Sequence, residues 1–151
     1  MIVVKNGGEL KELINQRIKE QGPKCDLNDI DVSRVVDMSH LFYRSKFNGD
    51  ISRWDVSNVK DMSYMFYFSD FNGDLSRWDV SNVKDMHAMF YGSKFNNNIS
   101  KWDVSHVKDM SYMFTWTSFS RDISKWNVSG VYNMDYMFIY SPLEGKEPRW
   151  Y

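Results

Sequence analysis

The sequence predicts an α/β solenoid: a right-handed stack of 24-residue coils, each a strand followed by a short helix, closed by an N-terminal helical cap. Three observations predict it. Tryptophan recurs every 24 residues, at Trp54, Trp78, Trp102, Trp126 and Trp150. The residues after each tryptophan repeat closely, so that Trp54 to Met62 and Trp78 to Met86 are the same nine residues. Apolar types also keep to columns: apart from Met1, every methionine belongs to Met38, Met62, Met86, Met110, Met134 or to Met65, Met89, Met113, Met137. Phenylalanine does the same in Phe42, Phe66, Phe90, Phe114, Phe138 and in Phe47, Phe71, Phe95, Phe119, with Phe68 alone outside. A unit this short cannot bury its apolar face alone, whereas stacked copies share one continuous core. Residues 1–151 are therefore one domain, with 1–26 as the cap and 27–151 as about five repeats, in register as 30–53, 54–77, 78–101, 102–125 and 126–149.

In chain order, Ile2-Val3-Val4 reads as a short strand. Glu9 to Glu20 reads as a helix, with Leu10, Leu13, Ile14 and Ile18 spaced by threes and fours and Gly22-Pro23 ending it. Terminal coils need covering, which assigns this segment to the cap. Within a repeat, Val59, Met62, Met65 and Phe66 fall on one helical face, predicting a helix of about two turns. Asp61 stands near its start as a capping residue, as do Asp37, Asp85, Asp109 and Asn133 in the other copies. A turn at Asn72-Gly73 then leads into an expected strand from Leu75 to Trp78, whose stacked copies would lie about 4.8 Å apart.

Composition excludes several function classes. Aromatic residues make up 17% of the chain, enough for burial to dominate its energetics, so the chain is not disordered. A net charge of -1, from 19 basic and 20 acidic residues spread through the repeats, argues against a nucleic-acid or anionic-membrane partner. No run approaches the roughly 20 residues of a membrane span, and the apolar start is too short for a signal peptide. The expectation is a soluble protein of undetermined compartment. Catalytic chemistry does not assemble: His40, His87 and His106 occupy three different columns, and the single cysteine, Cys25, lies in the cap region with no partner thiol. No cofactor or metal is expected. Calcium between coils is conceivable through Asp50, Asp74, Asn98, Asp122 and through Asp55, Asp79, Asp103, Asn127. Turn capping, or pairing with Arg53, Arg77, Lys101 and Lys125, explains these columns more simply.

The run Val59-Lys60-Asp61-Met62-Ser63-Tyr64-Met65-Phe66, which recurs with small changes from Val35 to Phe138, resembles the BspA-like leucine-rich-repeat family of bacterial surface proteins. The resemblance covers residues 27–150. It implies leucine-rich-repeat-like coils and, in some members, adhesion or binding to proteins. It implies no catalytic residues.

Recognition must then come from positions that differ between repeats. Variation concentrates at His40/Tyr64/Ala88/Tyr112/Tyr136, at Arg44/Phe68/Gly92/Trp116/Tyr140 and at Lys46/Asp70/Lys94/Ser118/Pro142. Large aromatics outside the core columns suit a protein interface. The candidate binding residues are therefore Tyr64, Phe68, Tyr112, Trp116, Tyr136 and Tyr140, with the charged ladder Arg53, Arg77, Lys101 and Lys125 as a second surface. The expected function is a non-enzymatic scaffold that binds another protein. A module that self-associates end to end through its C-terminal coil is the alternative, and a carbohydrate-binding adhesion module a weaker one.

Overall fold

The computed structural model describes residues 1–151. Strand β1 (Ile2–Val3) leads into helix α1 (Gly7–Gln21) and pairs in parallel with β2 (Ile30–Asp31), Ile2 against Ile30 and Val3 against Asp31. Helix α1 starts where Asn6, in extended conformation, accepts the Glu9 N–H through its side chain at 2.9 Å. It stops at Gly22, whose φ of 87° suits a residue without a Cβ, and whose N–H closes on the Ile18 carbonyl at 2.8 Å. Leu10 and Ile14 enter the common core. Two contacts reach from α1 to the first repeat: the Arg17 guanidinium grips Asp29 through both nitrogens at 2.6 and 3.0 Å, and Lys11 Nζ donates to the His40 carbonyl at 2.5 Å.

Beyond β2 there is no further helix or strand, and regular structure, isolated bridges included, amounts to about 17% of the chain. The expected α/β solenoid of strand-plus-helix coils is therefore overturned; each 24-residue repeat is a coil made of turns. The reason lies in where the backbone hydrogen bonds go. An α-helix would carry each N–H to the carbonyl four residues back. Here the N–H groups of Met62, Tyr64, Phe66 and Phe68 donate forward to the carbonyls of Asp85, His87, Met89 and Tyr91 in the next coil, at 2.7–3.0 Å. The alternate N–H groups of Met65, Tyr67 and Ser69 turn back by three residues, to Met62, Tyr64 and Phe66. A left-handed residue twice per coil, such as Tyr64 with φ 57° and Phe68 with φ 48°, breaks any helical run. The expected strand fails likewise. Asp74 Oδ1 accepts the Ser76 N–H at 2.8 Å and the Trp78 N–H closes on the Leu75 carbonyl, so the segment is turned rather than extended. Parallel pairing between repeats survives only as single bridges, among them Asp37, Asp61, Asp85, Asp109 and Asn133 in succession. Of 73 backbone hydrogen bonds only 12 lie inside helices or strands, so turns and inter-coil bonds hold the chain together.

The constant apolar columns fill the interior. Trp54, Trp78, Trp102 and Trp126 are each 4% exposed, and the methionines at 62, 86 and 110 are fully buried. Each indole N–H donates to a carbonyl of the preceding coil: Trp54 to Leu27, Trp78 to Ile51, Trp102 to Leu75 and Trp126 to Ile99, at 2.9–3.1 Å. Burial of a large ring is thereby combined with satisfaction of its one polar group. Phe42, Phe66, Phe90, Phe114 and Phe138 stack along the molecule at centroid spacings of 5.4, 5.5, 5.7 and 5.9 Å. A ladder of asparagines runs along another edge. The N–H of Asn72 donates to Asn48 Oδ1, that of Asn96 to Asn72 Oδ1 and that of Ser120 to Asn96 Oδ1. No helix is long and apolar enough to cross a membrane.

Candidate functional site: an aromatic stripe on the left-handed columns

Two of the three varying columns are the columns of left-handed backbone. His40, Tyr64, Ala88, Tyr112 and Tyr136 have φ between 51° and 61°, and Arg44, Phe68, Gly92, Trp116 and Tyr140 between 48° and 69°. Between the paired residues of each coil lies a third column, Tyr43, Tyr67 and Tyr91, followed by Thr115 and Ile139. Together these build a continuous band of rings. His40 stacks on Tyr64 at 4.7 Å, Tyr43 on Tyr67 at 4.8 Å, Tyr67 on Tyr91 at 5.0 Å and Tyr112 on Tyr136 at 5.2 Å. Trp116 meets Tyr91 at 6.3 Å and Tyr140 at 5.8 Å. At the first coil the Arg44 guanidinium lies over Tyr43, Tyr67 and Phe68. The rings remain open to solvent where the core columns are closed: Phe68 is 38% exposed, Trp116 53%, Tyr136 56% and Tyr140 65%.

The stripe dips at the third coil, where both columns carry small residues. At Gly92 the dip is filled. A Cβ there would stand 2.7 Å from the Phe68 ring, so Phe68 leans into the vacated space and reaches Trp116 edge-on at 6.4 Å. Ala88 is buried beneath its neighbours and lines, with Tyr64, Tyr67, His87, Tyr91 and Tyr112, a cavity of about 210 Å³. His87 replaces the serine found at positions 39, 63 and 111. Its Nδ1 lies 2.6 Å from Ser111 Oγ and its Nε2 lies 2.9 Å from the Tyr64 hydroxyl. Because Ser111 Oγ donates to Asp109 Oδ1, its oxygen is free to accept from Nδ1–H, which leaves Nε2 to accept from Tyr64. A second cavity of about 340 Å³ adjoins, sharing Tyr64, His87 and Tyr112 and adding the carboxylates of Asp85 and Asp109. Burial, then the neighbouring carboxylates of Asp61 and Asp109, push the Asp85 carboxyl up despite the His87 N–H it accepts. Burial raises the Tyr64 and Tyr91 hydroxyls as well.

The candidate residues from the sequence divide into two sets. Tyr64, Phe68, Tyr112, Trp116, Tyr136 and Tyr140 all lie in the stripe. Arg53, Arg77, Lys101 and Lys125 are exposed and share no ion pair or ring contact with it. Nor do they pair with the neighbouring aspartates. Those carboxylates cap turns instead: Asp55, Asp79 and Asp103 accept the N–H of Ser57, Ser81 and Ser105, and Asp50 and Asp122 those of Ser52 and Ser124. No three His, Cys, Asp or Glu side chains gather closely enough to hold a metal ion. The Tyr43, Tyr67, Tyr91 column held no candidate in the sequence, and His87 figured there only as one of three histidines that form no catalytic cluster. Their signal was departure within a column, tyrosine giving way to threonine and isoleucine, and one histidine among serines.

At the far end, three of the ladder donors of the last coil have no acceptor within the chain. The N–H groups of Met134, Tyr136 and Phe138 are unpaired, while that of Tyr140 is taken by Glu144 Oε2 at 2.7 Å. Residues 10–117 and 69–143 match a family described as Mycoplasma protein of unknown function, DUF285. The chain belongs to this family. The DUF285 match begins within α1 and runs past Tyr140, so the stripe lies wholly inside it. No curated protein and no solved structure matches the chain.

Proposed function

We propose that this DUF285 protein is a non-enzymatic scaffold that binds another protein through the aromatic stripe. The observation that carries this reading is the division of labour among columns. The apolar residues that repeat unchanged form the core, whereas the two left-handed columns differ from coil to coil and hold large, half-open rings in contact with one another. A contiguous band of Tyr and Trp offers area and amphipathic contact at little entropic cost, which is the composition of interface hot spots. The resemblance of the repeated Asp-Met-x-x-Met-Phe run to the BspA-like surface proteins supports the same reading through its motif, not through its coil architecture. A photo-cross-linking amino acid placed at Trp116 or Tyr140 is expected to trap one discrete protein from cells that make the chain, and the same probe at Arg77 is not. Phe68→Ser with Trp116→Ser should abolish the trapping from Tyr140. Equal trapping from all three positions would remove the stripe from consideration.

End-on association is the second reading, favoured by the unpaired donors of Met134, Tyr136 and Phe138. It is the weaker, because α1 covers the opposite end of the repeats and leaves no matching open coil there. A mass independent of concentration in size-exclusion chromatography with light scattering would dismiss it.

A further inference from the structure

We propose that the cavity over Ala88 is a pocket for one basic side chain, the guanidinium or ammonium head of an arginine or lysine carried by the partner polypeptide. The proposal rests on the reading of the stripe as a protein-binding surface. Its starting point is a gap in a column of rings. His40 stacks on Tyr64 and Tyr112 on Tyr136, but Ala88 contributes no ring between Tyr64 and Tyr112. Those two tyrosines, two coils apart, are separated by about 10 Å, twice the ordinary spacing of paired parallel backbone. His87 fills the gap only from the side, edge-on to Tyr64 at 5.0 Å and to Tyr112 at 5.9 Å. The neighbouring gap at Gly92 is closed by Phe68; the gap at Ala88, itself only 2% exposed, remains as a cavity that Ala88 floors.

Shape and charge then select the occupant. Apart from Ala88, the walls are four tyrosine rings and an imidazole, and ring faces attract cations through their quadrupoles. The carboxylates of Asp85 and Asp109 line the adjoining cavity and hold negative charge behind the aromatic wall. Each has one oxygen, Oδ1, engaged by the N–H two residues on, which leaves the second oxygen for a cation. At about 210 Å³ the cavity is below the usual range for a small-molecule site and admits the end of one side chain rather than a disaccharide.

The test uses N-acetyl-arginine amide as probe and its citrulline analogue, equal in shape and uncharged, as control. The aromatic resonances of Tyr64, Tyr67, Tyr91 and Tyr112 are followed by NMR. The arginine probe should shift these four saturably, and the citrulline analogue should bind about tenfold more weakly or not at all. Ala88→Tyr restores the ring that its neighbours carry at the same left-handed backbone and should abolish the shifts. Asp85→Asn, which keeps the turn as Asn133 does in the last coil, should weaken binding several-fold. Equal binding of arginine and citrulline, or arginine binding unchanged in both variants, would overturn the proposal. If Ala88→Tyr fails to fold, Asp85→Asn and the citrulline control still decide it. Failure here is separable from failure of the stripe: trapping that is lost in the Phe68→Ser, Trp116→Ser variant without any arginine shift sinks the pocket alone, and arginine shifts with unaltered trapping sink the stripe alone.

Discussion

Polar side-chain groups in this protein act mainly on the backbone, the indoles on a carbonyl of the coil behind and the aspartates on the turn ahead. Trp102 is buried with its indole N–H on the Leu75 carbonyl at 2.9 Å, so Trp102→Ala leaves a cavity and removes one of the two hydrogen bonds that carbonyl accepts. Its expected cost in denaturant unfolding is about 3–5 kcal/mol, against under about 0.5 kcal/mol for the exposed neighbour Lys101→Ala. Equal costs would refute the register. The aspartates divide by environment. Asp31, Asp74, Asp103 and Asp122 are held below the usual carboxylate range by the Ser side chains and N–H groups they accept from, and Asp50 by the Ser52 N–H first. A carboxyl with a lowered folded pKa stabilises above its unfolded value and loses that contribution as pH falls through the folded one, so acid below about 4 should weaken the fold. Asp85 runs the other way: its raised folded pKa means that its ionised form opposes folding near neutral pH and that protonation relieves this. Asp85→Asn is therefore expected to raise the melting temperature at pH 7, with the gain shrinking as pH falls toward the carboxylate range. A gain that grows on acidification would contradict the assignment.

At the scale of elements, the sequence allowed two different structures for one pattern. Val59, Met62, Met65 and Phe66 are indeed all buried, as a helical face requires. The same spacing serves a coil in which alternate N–H groups point to the next repeat, and nothing in the residue types distinguishes a bond to position 58 from a bond to position 85. A left-handed tyrosine has no sequence signature comparable to that of glycine, so the break at Tyr64 was invisible. Where local signals were unambiguous they held: α1, expected over 9–20, forms over Gly7–Gln21 with its glycine stop. Helical circular dichroism should consequently derive from this one element. Removing residues 1–26 is expected to abolish the helical signal and to destabilise the stack by exposing the first coil. A strong helical spectrum in the truncated protein would restore helices to the repeats.

For the whole molecule, identical junctions make the coils exchangeable. Deleting residues 78–101 joins Arg77 to Trp102, which preserves the repeat register and the forward hydrogen bonds, so a folded protein one coil shorter is expected to unfold cooperatively. Loss of cooperative unfolding would show that the coils depend on more than their neighbours. The deletion also removes Ala88 and Gly92, closing the dip in the stripe. What was legible of the site followed from the same regularity: within one chain the constant apolar columns mark the core, and the columns that vary mark surface where difference is tolerated. Spatial order along that surface was not legible, since Phe68 leaning over Gly92 toward Trp116 joins residues 48 positions apart in the sequence. The claim that core and recognition surface are separable is tested most directly by measuring thermal unfolding and partner trapping on one sample of the Phe68→Ser, Trp116→Ser variant. The expected result is loss of trapping with a melting temperature lowered by no more than about 4 °C, equivalent to about 1 kcal/mol at this chain length. A large fall in melting temperature, or trapping at the unaltered level, would contradict it.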